Sequence, residues 1–273
     1  MLIHVDGVRL FALEAGTGEP ALVFIHGNGA DHTAWHNQIA FFSPLTRVVA
    51  LDQRGHGQSA RDPDRLYSQD KFLADLLATL DVLRVESAIL VGWSMGASVA
   101  ARFAVENPSR AAGLVLVDHN LQAARAELGV PARFTEDILR DLSEDFEGRG
   151  CRSMVDSWFP ETGPEIDALK AWLYEVGRRT SQEVMLGIRS IGVREDRRRW
   201  LEQLSTPTLV LQGGASFLGG RRMGEYLANL IPGAELYVFE GKGHCLFLTA
   251  PDEFNQVLRK FLLLRTDCSV NLD

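Results

Sequence analysis

The chain is expected to fold as an α/β protein, a mostly parallel sheet with helices on both faces and a helical insertion in its second half. Three observations predict this. Short strand-like runs recur along the chain, at Ala21–Ile25, Arg47–Leu51, Ala88–Val91, Gly113–Val117, Thr208–Gln212 and Glu235–Phe239. Runs that are apolar at nearly every position suit strands covered on both faces. Segments of helical spacing separate them, most clearly over 69–84, where Phe72, Leu73, Leu76, Leu77, Leu80 and Leu83 share one face. Strands alternating with helices build a parallel sheet. Finally, the alternation lapses over 120–205, which holds no comparable strand run.

Taken in order, residues 1–15 read as two short strands around a turn at Asp6-Gly7. The strand 21–25 ends in His26-Gly27-Asn28-Gly29, and a helix is expected over Trp35 to Phe42. The strand 47–51 ends at Asp52 and opens a glycine-rich loop through Ser59. The strand from Ala88 runs into Gly92-Trp93-Ser94-Met95-Gly96, and the helix after it stops near Asn107-Pro108. The strand 113–117 ends at Asp118. Within 120–205, helices are expected at about 121–128, 135–146, 165–178 and 181–192, with Pro131, Pro160 and Pro164 as punctuation. The large apolar residues of this stretch need a surface to bury against, so it reads as a cap on the core. The division is core 1–119, cap 120–205, core 206–273. A helix near 220–231, a loop through Gly243-His244, a helix at about 251–263 and a frayed tail over 265–273 complete the chain.

Composition narrows the function. With 273 residues, 46% of them hydrophobic, the chain can bury one large core. Its net charge of −8 argues against binding a nucleic-acid backbone. The one dense basic cluster, Arg194 with Arg197 to Arg199, is interrupted by Glu195 and Asp196 and reads as a solvated helix face. Cys151, Cys245 and Cys268 have neither disulfide nor zinc spacing. Met1–Gly7 lacks a basic region followed by a long apolar one, and no apolar run approaches a membrane span. A cytoplasmic protein without membrane, metal or cofactor is the expectation; oligomeric state is unspecified.

Chemistry concentrates where the strands end. Gly-x-Ser-x-Gly between strand and helix places Ser94 on a sharp turn at a helix N-terminus, where Gly92 and Gly96 remove side chains that would clash. The residues that end or follow the strands are His26-Gly27, Asp52, Ser94, Asp118, Gly213 and His244. In an open sheet that edge binds ligands. The set contains a nucleophile, a carboxylate and a base. Ser94 is then the nucleophile, His244 its general base, and the backbone N–H groups of Asn28 and Met95 the donors to a developing oxyanion.

The pieces His26-Gly27-x-Gly29, Asp52-x-x-Gly55-x-Gly57-x-Ser59, Gly92–Gly96 and Gly243-His244 resemble the α/β-hydrolase fold family, over nearly the whole chain to about residue 263. The resemblance implies an eight-stranded sheet with the cap above the active site. Serine at the elbow is similar to esterases, lactonases, thioesterases, carbon–carbon bond hydrolases and cofactor-free haloperoxidases; haloalkane dehalogenases and epoxide hydrolases carry Asp there. One departure matters. The family most often places its acid after the seventh strand, where this chain has Gly213-Gly214-Ala215-Ser216. Members with the acid after the sixth strand, among them some short-acyl-chain esterases and the zearalenone-type lactonase, are similar in this respect, so Asp118 is read as the acid and Ser216 is expected to matter little.

The remaining candidates are weaker. His26 and His56 are expected to serve their loops. The i, i+4 pair His32 and His36 lacks a third ligand. Trp93, His119, Trp158, Phe159 and Trp172 are candidate pocket residues. The expected function is hydrolysis of a small, largely apolar carboxylic ester through an acyl-enzyme. The alternatives are a lactone hydrolase with the same triad and a non-hydrolytic receptor or lyase.

Overall fold

The computed structural model describes residues 1–119, 121, 127–130, 132–192 and 198–264, with backbone only at 132–135 and 189–192. Its sheet has eight strands: β1 (Leu2–Val5), β2 (Val8–Ala15), β3 (Ala21–Ile25), β4 (Val48–Asp52), β5 (Ala88–Trp93), β6 (Ala111–Val117), β7 (Thr208–Gly213) and β8 (Glu235–Phe239), in the order β1-β2-β4-β3-β5-β6-β7-β8. β2 pairs antiparallel with both β1 and β4; all other pairs are parallel. Burial follows position. β3, β4, β5 and β7 are buried at every residue, whereas β1 and β8 alternate. Interior strands therefore read as continuous apolar runs, and edge strands as period-two patterns.

Helices α1 (His36–Phe42), α2 (Gln69–Val82), α3 (Met95–Glu106), α9 (Gly220–Leu230), α10 (Leu246–Thr249) and α11 (Pro251–Leu263) accompany the sheet. One apolar cluster gathers Leu76, Leu80, Phe103 and Met223, and the other Trp35, Phe247, Phe254 and Phe261. Asp31 caps the short 3-10 turn His32–Trp35 that leads into α1, and Ser68 caps α2.

Between β6 and β7 the described residues form α4 (Ala132–Glu144), α5 (Cys151–Asp156), α6 (Pro164–Arg179), α7 (Gln182–Gly192) and α8 (Arg198–Glu202), with a π-helical turn at Phe146–Gly150, and contain no strand. The helix expected over 121–128 lies mostly outside the described residues. α5 was not anticipated, being short and without clear periodicity, whereas α8 begins at Arg198 and Arg199, which were read as part of a helix face. This insertion rests on the loops that follow β3 and β4. A Cβ built on Gly29 (φ +76) would lie 2.8 Å from Met154 Cε and 2.9 Å from Met185 Cε, and one on Gly55 would lie 2.9 Å from Val184. Among the described residues no helix is long and apolar enough to cross a membrane.

Candidate active site

The strand–helix turn at Ser94 is forced by lack of space. A Cβ on Gly92 would sit 2.4 Å from Gly96 O, and one on Gly96 only 2.2 Å from Ile25 O. With both positions bare, β5 turns directly into α3, and Ser94 adopts φ 55, ψ −112. A serine rarely holds such a backbone, and strain of this kind collects at functional positions. Its N–H donates to Val117 O at 3.0 Å, which fixes it beside the end of β6. The Ser94 side of the turn also meets the loop after β3: a Cβ on Gly27 would be 3.2 Å from Ser94 Cβ.

Asp118 follows Val117 directly, in a left-handed conformation (φ 43) that aspartate tolerates better than most residues. It is fully buried, and four donors reach its carboxylate. Oδ1 accepts from Gln212 Nε2 at 2.6 Å and from the Gly213 N–H at 3.0 Å; Oδ2 accepts from Ser216 Oγ at 2.6 Å and from His244 Nδ1 at 2.5 Å. A buried carboxylate without such partners would be strongly disfavoured. Ser216 Oγ therefore shares with His244 the same carboxylate oxygen, a contact that the sequence reading did not include. Gln212 was also missed. Its signal was a polar side chain at the end of a strand buried on both faces, where a partner is obligatory.

His244 is 2% exposed, with its ring among Trp93 (centroids 5.0 Å), Trp158 (5.9 Å) and Phe217 (5.4 Å). Its backbone is held from two sides, the N–H by Trp158 O at 2.8 Å and the carbonyl by Trp93 Nε1 at 3.0 Å. Trp93 is wholly buried and packs edge-on against Trp158 and Phe247, so it stands behind His244 rather than on a pocket surface. Trp158, Phe159 and His119 are also buried. Trp172 lies elsewhere. With Thr33, His36, Ala168 and Leu169 it lines a cavity of about 670 Å³ whose lining includes none of Ser94, Asp118 and His244.

The loop bearing Asn28 is locked by neutral histidines. His26 donates through Nδ1 to Gly27 O at 2.7 Å and accepts the Gln53 N–H on Nε2 at 3.0 Å. Burial holds its pKa low and the ring neutral, and these two partners set that tautomer. Asn28 donates to Met185 O at 3.2 Å, and its Oδ1 lies 3.3 Å from His56 Nε2. Burial drives His56 down to about 3. His32 is different. Burial opposes its charge, but the 2.8 Å bond to Asp52 Oδ1 prevails and its pKa rises.

Asp31, His32 and Asp52 bring three ligand-type atoms within 4.8 Å of one another. They are already paired: His32 with Asp52, Asp31 with the Thr33 N–H, and Asp52 Oδ2 with the Gln58 N–H. His36 turns away to Thr33 O at 3.0 Å. Burial pushes the Cys151 thiol up to about 11, and pushes Cys245 well above its ordinary value, so neither is poised as a nucleophile.

A doubly flanked parallel sheet with a serine elbow after β5 and a histidine loop after β8 defines a class, and the protein-family model of the alpha/beta hydrolase fold matches residues 20–251. The chain belongs to that family. Among curated relatives it is 27% identical over 273 residues to a 2-hydroxymuconate semialdehyde hydrolase of Pseudomonas sp. (strain CF600), covering 95% of this chain and 92% of the relative. It is 26% identical over 251 residues to a pimeloyl-[acyl-carrier protein] methyl ester esterase of Vibrio campbellii, covering 89% and 94%. Among solved structures, Est816, described as an N-acyl homoserine lactone degrading enzyme, superposes with a TM-score of 0.82 at 25% identity, covering 96% of this chain and 100% of that one.

Proposed function

We propose that this chain is a serine hydrolase of carboxylic esters with a small, largely apolar acyl group. The observation that carries this reading is the bond from His244 Nδ1 to Asp118 Oδ2 at 2.5 Å, made beside a serine in a strained strand–helix turn. With Nδ1 donating to Asp118, the ring presents Nε2 as the base. His244 takes the proton of Ser94 as the hydroxyl attacks the ester carbonyl, and Asp118 stabilises the imidazolium. The negative charge that develops on the carbonyl oxygen is received by the N–H groups of Met95 and Asn28. Collapse of the tetrahedral species expels the alcohol, which takes its proton from His244. A water activated by the same ring then hydrolyses the acyl-enzyme. The 120–205 segment acts as the cap, with Trp158, Phe159 and His119 shaping the acyl side.

A lactone substrate passes through the same steps, its alcohol and acid remaining in one molecule. The likeness to a lactone-degrading enzyme favours keeping this second reading. The test is Ser94→Ala against wild type on short p-nitrophenyl esters and on lactones, with fluorophosphonate labelling in parallel. Turnover is expected to fall by about 10⁴-fold or more with loss of labelling and an unchanged circular dichroism spectrum. Near wild-type turnover in the variant would sink the proposal.

A further inference from the structure

The turn Trp158–Glu161, just after α5, runs along the loop that carries His244, and it engages Gly243, His244 and Thr249. The Gly243 N–H donates to Glu161 Oε1 at 3.3 Å, and the His244 N–H donates to Trp158 O at 2.8 Å. Thr249 Oγ1, at the end of α10, donates to the same Glu161 oxygen at 2.9 Å. The fit leaves no room for a side chain: a Cβ on Gly243 would lie 2.3 Å from both Pro160 Cδ and Trp158 O. The second carboxylate oxygen, Glu161 Oε2, is buried and accepts no hydrogen bond. A carboxylate oxygen left without a partner is unfavourable, so the side chain holds this pose against a local penalty. Its charge is felt on the far side of His244 as well, where together with Asp118, and after burial itself, it helps raise the Cys245 thiol.

We propose that Glu161 is a positioning residue for the general base: it fastens the insertion to the Gly243-His244 loop and thereby sets the His244 ring against Asp118 and Ser94. This rests on His244 being the base of the reaction proposed above. Glu161 does not touch substrate. It acts by fixing the backbone one residue before His244, while Trp158 O fixes His244 itself. A ring misplaced by an ångström is enough to lower a rate about 10²-fold.

The experiment compares Glu161→Leu, which removes both acceptors, with Glu161→Gln, which keeps Oε1 as acceptor for Gly243 and Thr249. For a short p-nitrophenyl ester, kcat per fluorophosphonate-titrated serine is expected to fall about 10- to 100-fold in Glu161→Leu, with KM within about threefold. Glu161→Gln should stay within about threefold of wild type in both. The low-field proton resonance of His244 Nδ1–H should shift or broaden in the leucine variant and persist in the glutamine variant. Thr249→Val, which removes only one donor, guards against failure of the leucine variant to fold; it should lower kcat about threefold at constant KM. Unchanged kcat per titrated site and an unchanged proton signal in these variants, with only a lower Tm, would overturn the positioning role and leave a plain structural contact. Absence of both hydrolysis and labelling in the wild type would instead remove the reading of Ser94 and His244, and the base that Glu161 positions with it.

Discussion

The four donors on Asp118 divide evenly between its oxygens, and that division explains why an amide cannot replace it. In Asp118→Asn the new NH₂ must face either Gln212 and Gly213 or Ser216 and His244, all donors in the native arrangement. The ring loses its tautomer preference, and kcat is expected to drop by about 10²–10⁴, measured with fold checked by circular dichroism. A second residue-level expectation concerns pH. Folded His56 stays neutral to about pH 3, whereas its ordinary value is 6.5. Between these values the unfolded chain binds more protons, so the stability this residue contributes is full above about 6.5 and is lost as pH falls toward 3. Fully buried His56 is worth on the order of 5 kcal/mol over that window; His26 acts in the same direction. His32, raised by Asp52, opposes them, because its contribution is full at low pH and fades as pH rises through its folded value. Tm should therefore decline from pH 7 toward pH 4, and His56→Gln should flatten the decline in thermal melts. The sequence led to Ser94 and His244 through strand ends and local spacing, and to Asp118 through its strand end together with the resemblance to hydrolases whose acid follows the sixth strand. Gln212, Ser216 and Glu161 stayed hidden because their roles arise from contacts 94, 98 and 82 residues distant in the chain, which no local pattern encodes.

At the level of elements, the loop after β4 is tied to α2 by a buried ion cluster. Arg54 bonds Asp75 through Nε and Nη2, both at 2.6 Å, and also pairs with Asp62. The side chains of Arg54 and Asp75 are fully buried. Burial pushes the Asp75 carboxyl up despite the adjacent guanidinium. Arg54→Leu would strand two carboxylates in the interior, and a loss of about 3–5 kcal/mol is expected. It should appear as a lower urea midpoint at constant m-value. Helices with strong periodicity, such as α2, were legible to within two residues. α5, six residues long, and the π-helical turn before it were not. Their side chains are arranged by the core they cover, which a local window does not contain.

For the whole molecule, the sheet was the most legible part, since each interior strand is apolar along its length and each ends near a residue of the site. The arrangement of the insertion was not, because its helices meet one another and the loops after β3 and β4 through contacts that the one-dimensional pattern leaves open. β6 and β7 are adjacent and parallel, with Leu114 opposite Thr208 and Val117 opposite Leu211, so the chain between Val117 and Thr208 leaves at the end of one strand and re-enters at the start of its neighbour. Asp118 stands at the exit, and Gln212, Gly213 and Ser216 clasp it from the far end of β7. The excursion thus joins two neighbouring strands that the carboxylate ties together once more beyond it. Substitutions inside it leave every strand pairing intact, and on the proposed reading what is admitted to the serine can be rewritten in one contiguous stretch of gene, provided that Trp158 and Glu161, which hold the His244 loop, are kept.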